Sequence, residues 1–172
     1  MEKLVYLAII VVILPIVFIS LYELLNIKVM VHEIGHVITC QMFGHLEDIE
    51  ISLGTGKVVC ELPVNLPYSN YLLYSLGGII AEFLFGLLFL IIPYTSAFGG
   101  YIIFRCSISH LISAYSLDLK GTGFEIFSAL PLRILIVIAG FLIFVLSSYS
   151  YSHSWTKLIK EDYRKRSERR LK

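Results

Sequence analysis

Charge is scarce in this chain. Only 16% of its 172 residues are Asp, Glu, Lys or Arg, whereas soluble domains carry about 25%. Hydrophobic residues make up 57% and the mean hydropathy is +0.80. A chain of this composition would expose too much apolar surface in water, which excludes an ordinary soluble domain and makes a bilayer its natural solvent. Cysteine is also sparse. Cys40, Cys60 and Cys106 are scattered, odd in number and without CxxC spacing, which argues against a disulfide framework. Cys40 and Cys106 fall in apolar segments and read as buried free thiols. Aspartate occurs only at 48, 118 and 162. Repeats and low-complexity tracts are missing, and the length allows one domain with a short tail.

What remains is a series of apolar runs. Residues 4–22 are uncharged and would extend about 28 Å as a helix, close to a hydrocarbon core. The run is too long for a signal-peptide core and no small-x-small cleavage site follows Ser20, so it reads as a retained span kinked at Pro15. A second helix over 26–43 ends at Gly44, and polar Glu23, Asn26 and Lys28 place a break between the two. Residues 46–66 alternate: Ile49, Ile51 and Leu53 interleave with Asp48, Glu50 and Ser52, followed by Gly54-Thr55-Gly56. That pattern predicts a β-hairpin, read either as an interfacial loop or as an exposed edge that receives an extended substrate by strand addition. Further spans are expected over 71–93, 98–117 and 134–156, with Asp118–Gly123 interrupting the hydrophobicity.

The predicted fold class is an all-α polytopic membrane protein of four to five transmembrane helices, with a small β-hairpin after the second. Residues 1–156 form the membrane core and 157–172 a basic tail. That tail holds eight Lys or Arg against three acids, so the positive-inside rule predicts a multi-pass protein with a cytoplasmic C-terminus. If the second helix is a full crossing the N-terminus lies outside; if it is re-entrant, both ends lie inside. The tail reads as an anchor to anionic lipid, not as a nucleic-acid site. Trp155, Tyr149 and Tyr151 read as interfacial anchors.

Residues 32–36 read His-Glu-Ile-Gly-His. Two histidines four apart sit one turn above each other on a helix, so both imidazoles can reach one ion. Glu33 is rotated off that line and can act on water instead of ligating. Three ionisable groups within five residues of an apolar helix are costly unless paired, hydrated or functional. The pattern therefore predicts a Zn2+ site held by His32 and His36. Catalytic zinc generally takes a third protein ligand. Asp48 is too close in sequence to fold back easily and Asp162 lies in the tail, which leaves Asp118, before a Gly-rich break. Glu125 and His110 are the reserves. Glu82, mid-span, is either a partner for a histidine's second ring nitrogen or a packing glutamate bonded to Arg105 or a serine.

The chain resembles the site-2 protease family of zinc intramembrane metalloproteases over most of residues 28–130. His32-Glu33-Ile34-Gly35-His36 with Gly44 is similar to the family's HExGH helix. Gly54-Thr55-Gly56-Lys57 looks like its short strands, and Gly77-Gly78-Ile79-Ile80-Ala81-Glu82 resembles its Gly-Pro-x-x-Asn, with Glu82 in place of Asn. Asp118 to Phe127 sits where the family has its Asp-Gly ligand motif. Thr122-Gly123 aligns there most naturally, and a four-residue shift brings Asp118 into register.

The resemblance implies hydrolysis of peptide bonds in a transmembrane protein substrate, with Glu33 as the acid–base group and His32, His36 and Asp118 on the metal. The alternative is a catalytically inactive relative that binds or regulates a membrane partner, favoured by Thr122. A different class, a small transporter or channel with histidines along an ion path, predicts no hydrolysis to lose at Glu33.

Overall fold

The computed structural model describes residues 9–112 and 130–170. It is mostly helical: five α-helices, two π-helical turns and one two-stranded antiparallel hairpin among the described residues. A π turn over Ile9–Ile13 leads into α1 (Leu14–Leu24), with Pro15 in its first turn, where a missing N–H costs nothing. Helix α2 (Ile27–Phe43) follows at an angle of 57°. The strands are β1 (His45–Ser52) and β2 (Thr55–Glu61), followed by α3 (Tyr68–Ile91) and α4 (Ser96–Cys106). A second π turn spans Ser107–Ile112, and α5 runs over Leu130–Arg170.

Two helical stretches, Tyr68–Ile91 and Ile134–Lys165, are long and apolar enough to cross a membrane, and the bent α1–α2 pair makes a third if its two helices form one broken span. Among the described residues these are two to three candidate spans within the helical, hairpin-bearing fold that was expected. Of the spans expected over 4–22 and 26–43, the described parts form one bent pair, Ile9–Leu24 with Ile27–Phe43, and the described part of the 98–117 span is α4 ending in a π turn at Ile112. Large apolar side chains point outward around the bundle, among them Ile16, Leu84, Leu88 and Leu146, each more than half exposed. An apolar perimeter of this kind belongs in lipid. Two to three long apolar helices thus suggest a multi-pass membrane protein.

The bend has a specific cause. Asn26 takes the left-handed conformation, φ 58°, which a short polar side chain tolerates better than most. Its amide then grips the hairpin tip: Nδ2 donates to the Ser52 carbonyl (2.6 Å) and Oδ1 accepts from the Gly54 N–H (3.2 Å). Nearby, the Glu23 carboxylate accepts from Tyr101 Oη (2.8 Å) and Arg105 Nε (3.3 Å). Asn26→Ala is expected to cost about 1–2 kcal/mol through two lost hydrogen bonds and a strained φ. Limited proteolysis should then nick the hairpin faster than in the parent.

Alternation around the turn produced the predicted hairpin, but the turn is Leu53-Gly54, not Gly54-Thr55-Gly56, and Gly56 lies within β2 opposite Ile51. A register shift between Leu46 and Asp48 kinks β1. Cys40 at the end of α2 is bonded to Cys60 on β2. This overturns the reading of Cys40 as a free thiol; Cys106 is free and buried. The disulfide ties the hairpin's base to the motif helix.

Helices α3, α4 and α5 pack side by side. Tyr22, Phe98 and Ile102 are buried together among Phe85 and Phe89. Ser96 Oγ donates to the Ser147 carbonyl (3.0 Å), fixing α4 against α5. Tyr151, expected at the interface, is instead buried, its hydroxyl donating to the Ile10 carbonyl at 2.7 Å. Trp155 stacks edge-on against Tyr94, with 5.2 Å between ring centroids. Beyond it α5 continues unbroken through the basic tail to Arg170.

Candidate metal centre

The site lies where α2 crosses α3. Close approach is possible because glycine faces glycine: a Cβ on Gly35 would lie 2.6 Å from the Gly77 carbonyl carbon and 2.7 Å from Ala81 Cβ. Helices in lipid pack best through such small residues. Residue numbers run in opposite directions across the contact, with His32 beside Glu82 and His36 beside Tyr74. Gly78 makes room for the first imidazole; a Cβ there would fall 2.5 Å from both His32 ring nitrogens.

Both imidazoles are oriented from behind. His36 Nδ1 donates to the Tyr74 carbonyl oxygen at 3.1 Å. A carbonyl can only accept, so Nδ1 carries the proton and Nε2 of the neutral ring holds a lone pair. His32 Nδ1 donates to Glu82 Oε1 at 2.9 Å, with the same consequence for its Nε2. The two Nε2 atoms are 3.2 Å apart. Facing lone pairs repel unless a proton or a metal cation lies between them. Two nitrogens each about 2.0–2.1 Å from a tetrahedral zinc would be about 3.3 Å apart. The donor pair therefore fits a zinc ion, and a carboxylate and a carbonyl hold the rings in the ligating tautomer.

Glu82 is 1% exposed, and its bond to His32 is the first of the two roles read from its position. Arg105, the alternative partner, instead binds Glu23 and the Ser109 hydroxyl. Glu82→Leu is expected to weaken zinc binding about 10–100-fold, as loss of a partner behind a ligand typically does. Competition with a chromophoric chelator would measure it, and Glu82→Asp should recover part of the loss.

Glu33, 7% exposed, is rotated about 100° from His32 around α2. It faces the hairpin, where a Cβ on Gly56 would fall 2.7 Å from the Glu33 carboxyl carbon. Strand β2 thus passes directly over the acid. The expectation of a Gly-rich turn hid this role: Gly56 is needed for the space beside Glu33. Gly78 enters the sequence reading only as part of the Gly77–Glu82 resemblance, without this role, and the Tyr74 carbonyl does not enter it. A glycine four residues before Glu82 on an apolar helix was the available cue to Gly78, whereas a backbone carbonyl leaves none.

Among the described residues, no group of three or more His, Cys, Asp or Glu is placed to hold a metal ion. Asp118, the predicted third ligand, lies outside the described residues, as do Thr122, Glu125 and the side chain of His110. Lys28, one turn before His32, donates to Ser109 Oγ at 2.8 Å and brings a cation close to the site. No protein-family model, no curated protein and no solved structure matches this chain.

Proposed function

We propose that this chain is a zinc-dependent intramembrane metalloprotease of the site-2 protease type, hydrolysing peptide bonds of transmembrane protein substrates. One observation carries the reading: two Nε2 atoms 3.2 Å apart, each imidazole tied through Nδ1, beside a buried glutamate one residue from the first. In this reading His32 and His36 hold the ion and Asp118 completes the set. The bent α1–α2 pair, α3, α4 with its π turn, and α5 are four crossings of a multi-pass fold with a cytoplasmic basic tail.

Zinc bound there would lower the pKa of a water toward ~7 and polarise a peptide carbonyl. The protein's own groups do the rest. Glu33 accepts the proton of the attacking water and returns it to the leaving amine. Glu82 and the Tyr74 carbonyl keep both imidazoles aimed, so no ring reorients during turnover. A substrate helix hides its carbonyls in its own hydrogen bonds and must unwind to be cut, which favours segments containing Gly or Pro.

The test is incubation of the purified, zinc-loaded protein with transmembrane peptides of that kind, read by mass spectrometry. Cleavage within the apolar segment, lost on chelation and restored by zinc, is expected. Stoichiometric zinc without cleavage would favour the inactive relative that binds a membrane partner.

A further inference from the structure

Which compartment the site faces follows from the packing and from two independent chemical facts. The bundle has two ends. At one end, Ile10 bonds to Tyr151, and Tyr94 packs on Trp155, so the start of α1, the α3–α4 turn and the tail end of α5 lie together. The other end is reached along α3, whose 24 residues extend about 36 Å. Helix α2 runs toward that far end, since its partners on α3 fall from Glu82 to Tyr74 as its own numbers rise from His32 to His36. Cys40, one turn farther, is therefore at the level of the first turn of α3, with Cys60 bonded to it.

The two ends differ in charge. Lys157–Lys172 holds eight basic residues, while the connection over 44–67 holds one lysine, no arginine and four acids. That asymmetry places the tail in the cytoplasm and the hairpin's base on the opposite side. The disulfide makes the same assignment without reference to charge, because such bonds form and persist in oxidising compartments outside the cytosol.

The hairpin beside the site is itself polar. Glu47, Asp48, Glu50 and Lys57 are exposed on the hairpin, and charged side chains do not face hydrocarbon. The same hairpin passes over Glu33 at Gly56. We propose that the site opens to the extracytoplasmic side, through a mouth formed by the hairpin and closed at its base by Cys40–Cys60. Its substrates would then be membrane proteins attacked from that side, a consequence that rests on the proteolytic reading. The orientation itself does not depend on it.

The experiment reads orientation alone. In intact cells expressing the chain from a bacterial inner membrane, with Cys106→Ser removing the free thiol, single cysteines are introduced by Asn65→Cys and Lys160→Cys. A membrane-impermeant maleimide should label the first at least ten-fold more than the second, and lysis should equalise them. In the unaltered chain, Cys40 and Cys60 should resist a permeant maleimide under denaturing conditions until a reductant is added. A green fluorescent protein fused to the C-terminus should fluoresce, and alkaline phosphatase fused there should be inactive. Labelling of Lys160→Cys in intact cells with Asn65→Cys protected, free Cys40 and Cys60 thiols, or an active phosphatase fusion would each overturn the proposal. None of these readouts involves peptide hydrolysis, so a failure here is distinct from a failure of the protease reading.

Discussion

Glu33→Gln is expected to lower the rate of peptide cleavage by about 10²–10⁴-fold, the usual contribution of a positioned general acid–base group. Glutamine keeps the size of the side chain and its fit against Gly56. It cannot accept the proton of the attacking water. Zinc content should be unchanged, because in the proposed site the ligating nitrogens belong to His32 and His36, whose rings are held by Glu82 and Tyr74. The informative comparison is therefore turnover against bound metal on the same sample. Loss of both together would mean that Glu33 is structural, and retained turnover would remove it from the chemistry.

Gly35→Val is expected to have the largest effect on stability. The added atoms fall on the backbone of Gly77 and on Ala81, neither of which is the flexible end of a side chain. Overpacking of this kind typically costs about 1–3 kcal/mol, and relief requires the two helices to separate. Separation would move His32 away from Glu82 and His36 from Tyr74, so zinc binding should fall along with thermal stability. Gly35→Ala should show the same changes in smaller degree. Ile38→Ala, on the exposed face of the same helix, should change little. Thermal unfolding in detergent, with and without added zinc, would measure all three.

Much of the local structure was legible because it depends on neighbours in sequence. The break before α2 follows from Glu23 and Asn26 interrupting an apolar run, and the hairpin follows from alternation over 48–53. The HExxH spacing places two imidazoles on one helical line. Features that depend on distant segments were not legible. The Cys40–Cys60 bond joins residues twenty apart and exists only because β2 folds back on α2. An apolar context made Cys40 look like a buried thiol, and it is indeed fully buried, but in a bond. Gly56 was absorbed into the turn because glycine serves turns and close approaches equally well. Its role depends on the side chain beneath it. Tyr151 illustrates the same limit: aromatic character suited the interface, whereas the hydroxyl's partner, Ile10, lies 141 residues away.

X-ray absorption at the zinc edge of the purified, zinc-loaded protein tests the coordination most directly. The prediction is one zinc per chain with two imidazole nitrogens and oxygen donors at about 2.0–2.1 Å, and loss of the nitrogen shell in the His32→Ala, His36→Ala double variant. Protein that takes up no stoichiometric zinc, or a zinc shell without imidazole, would contradict the assignment of this helix crossing as a metal centre.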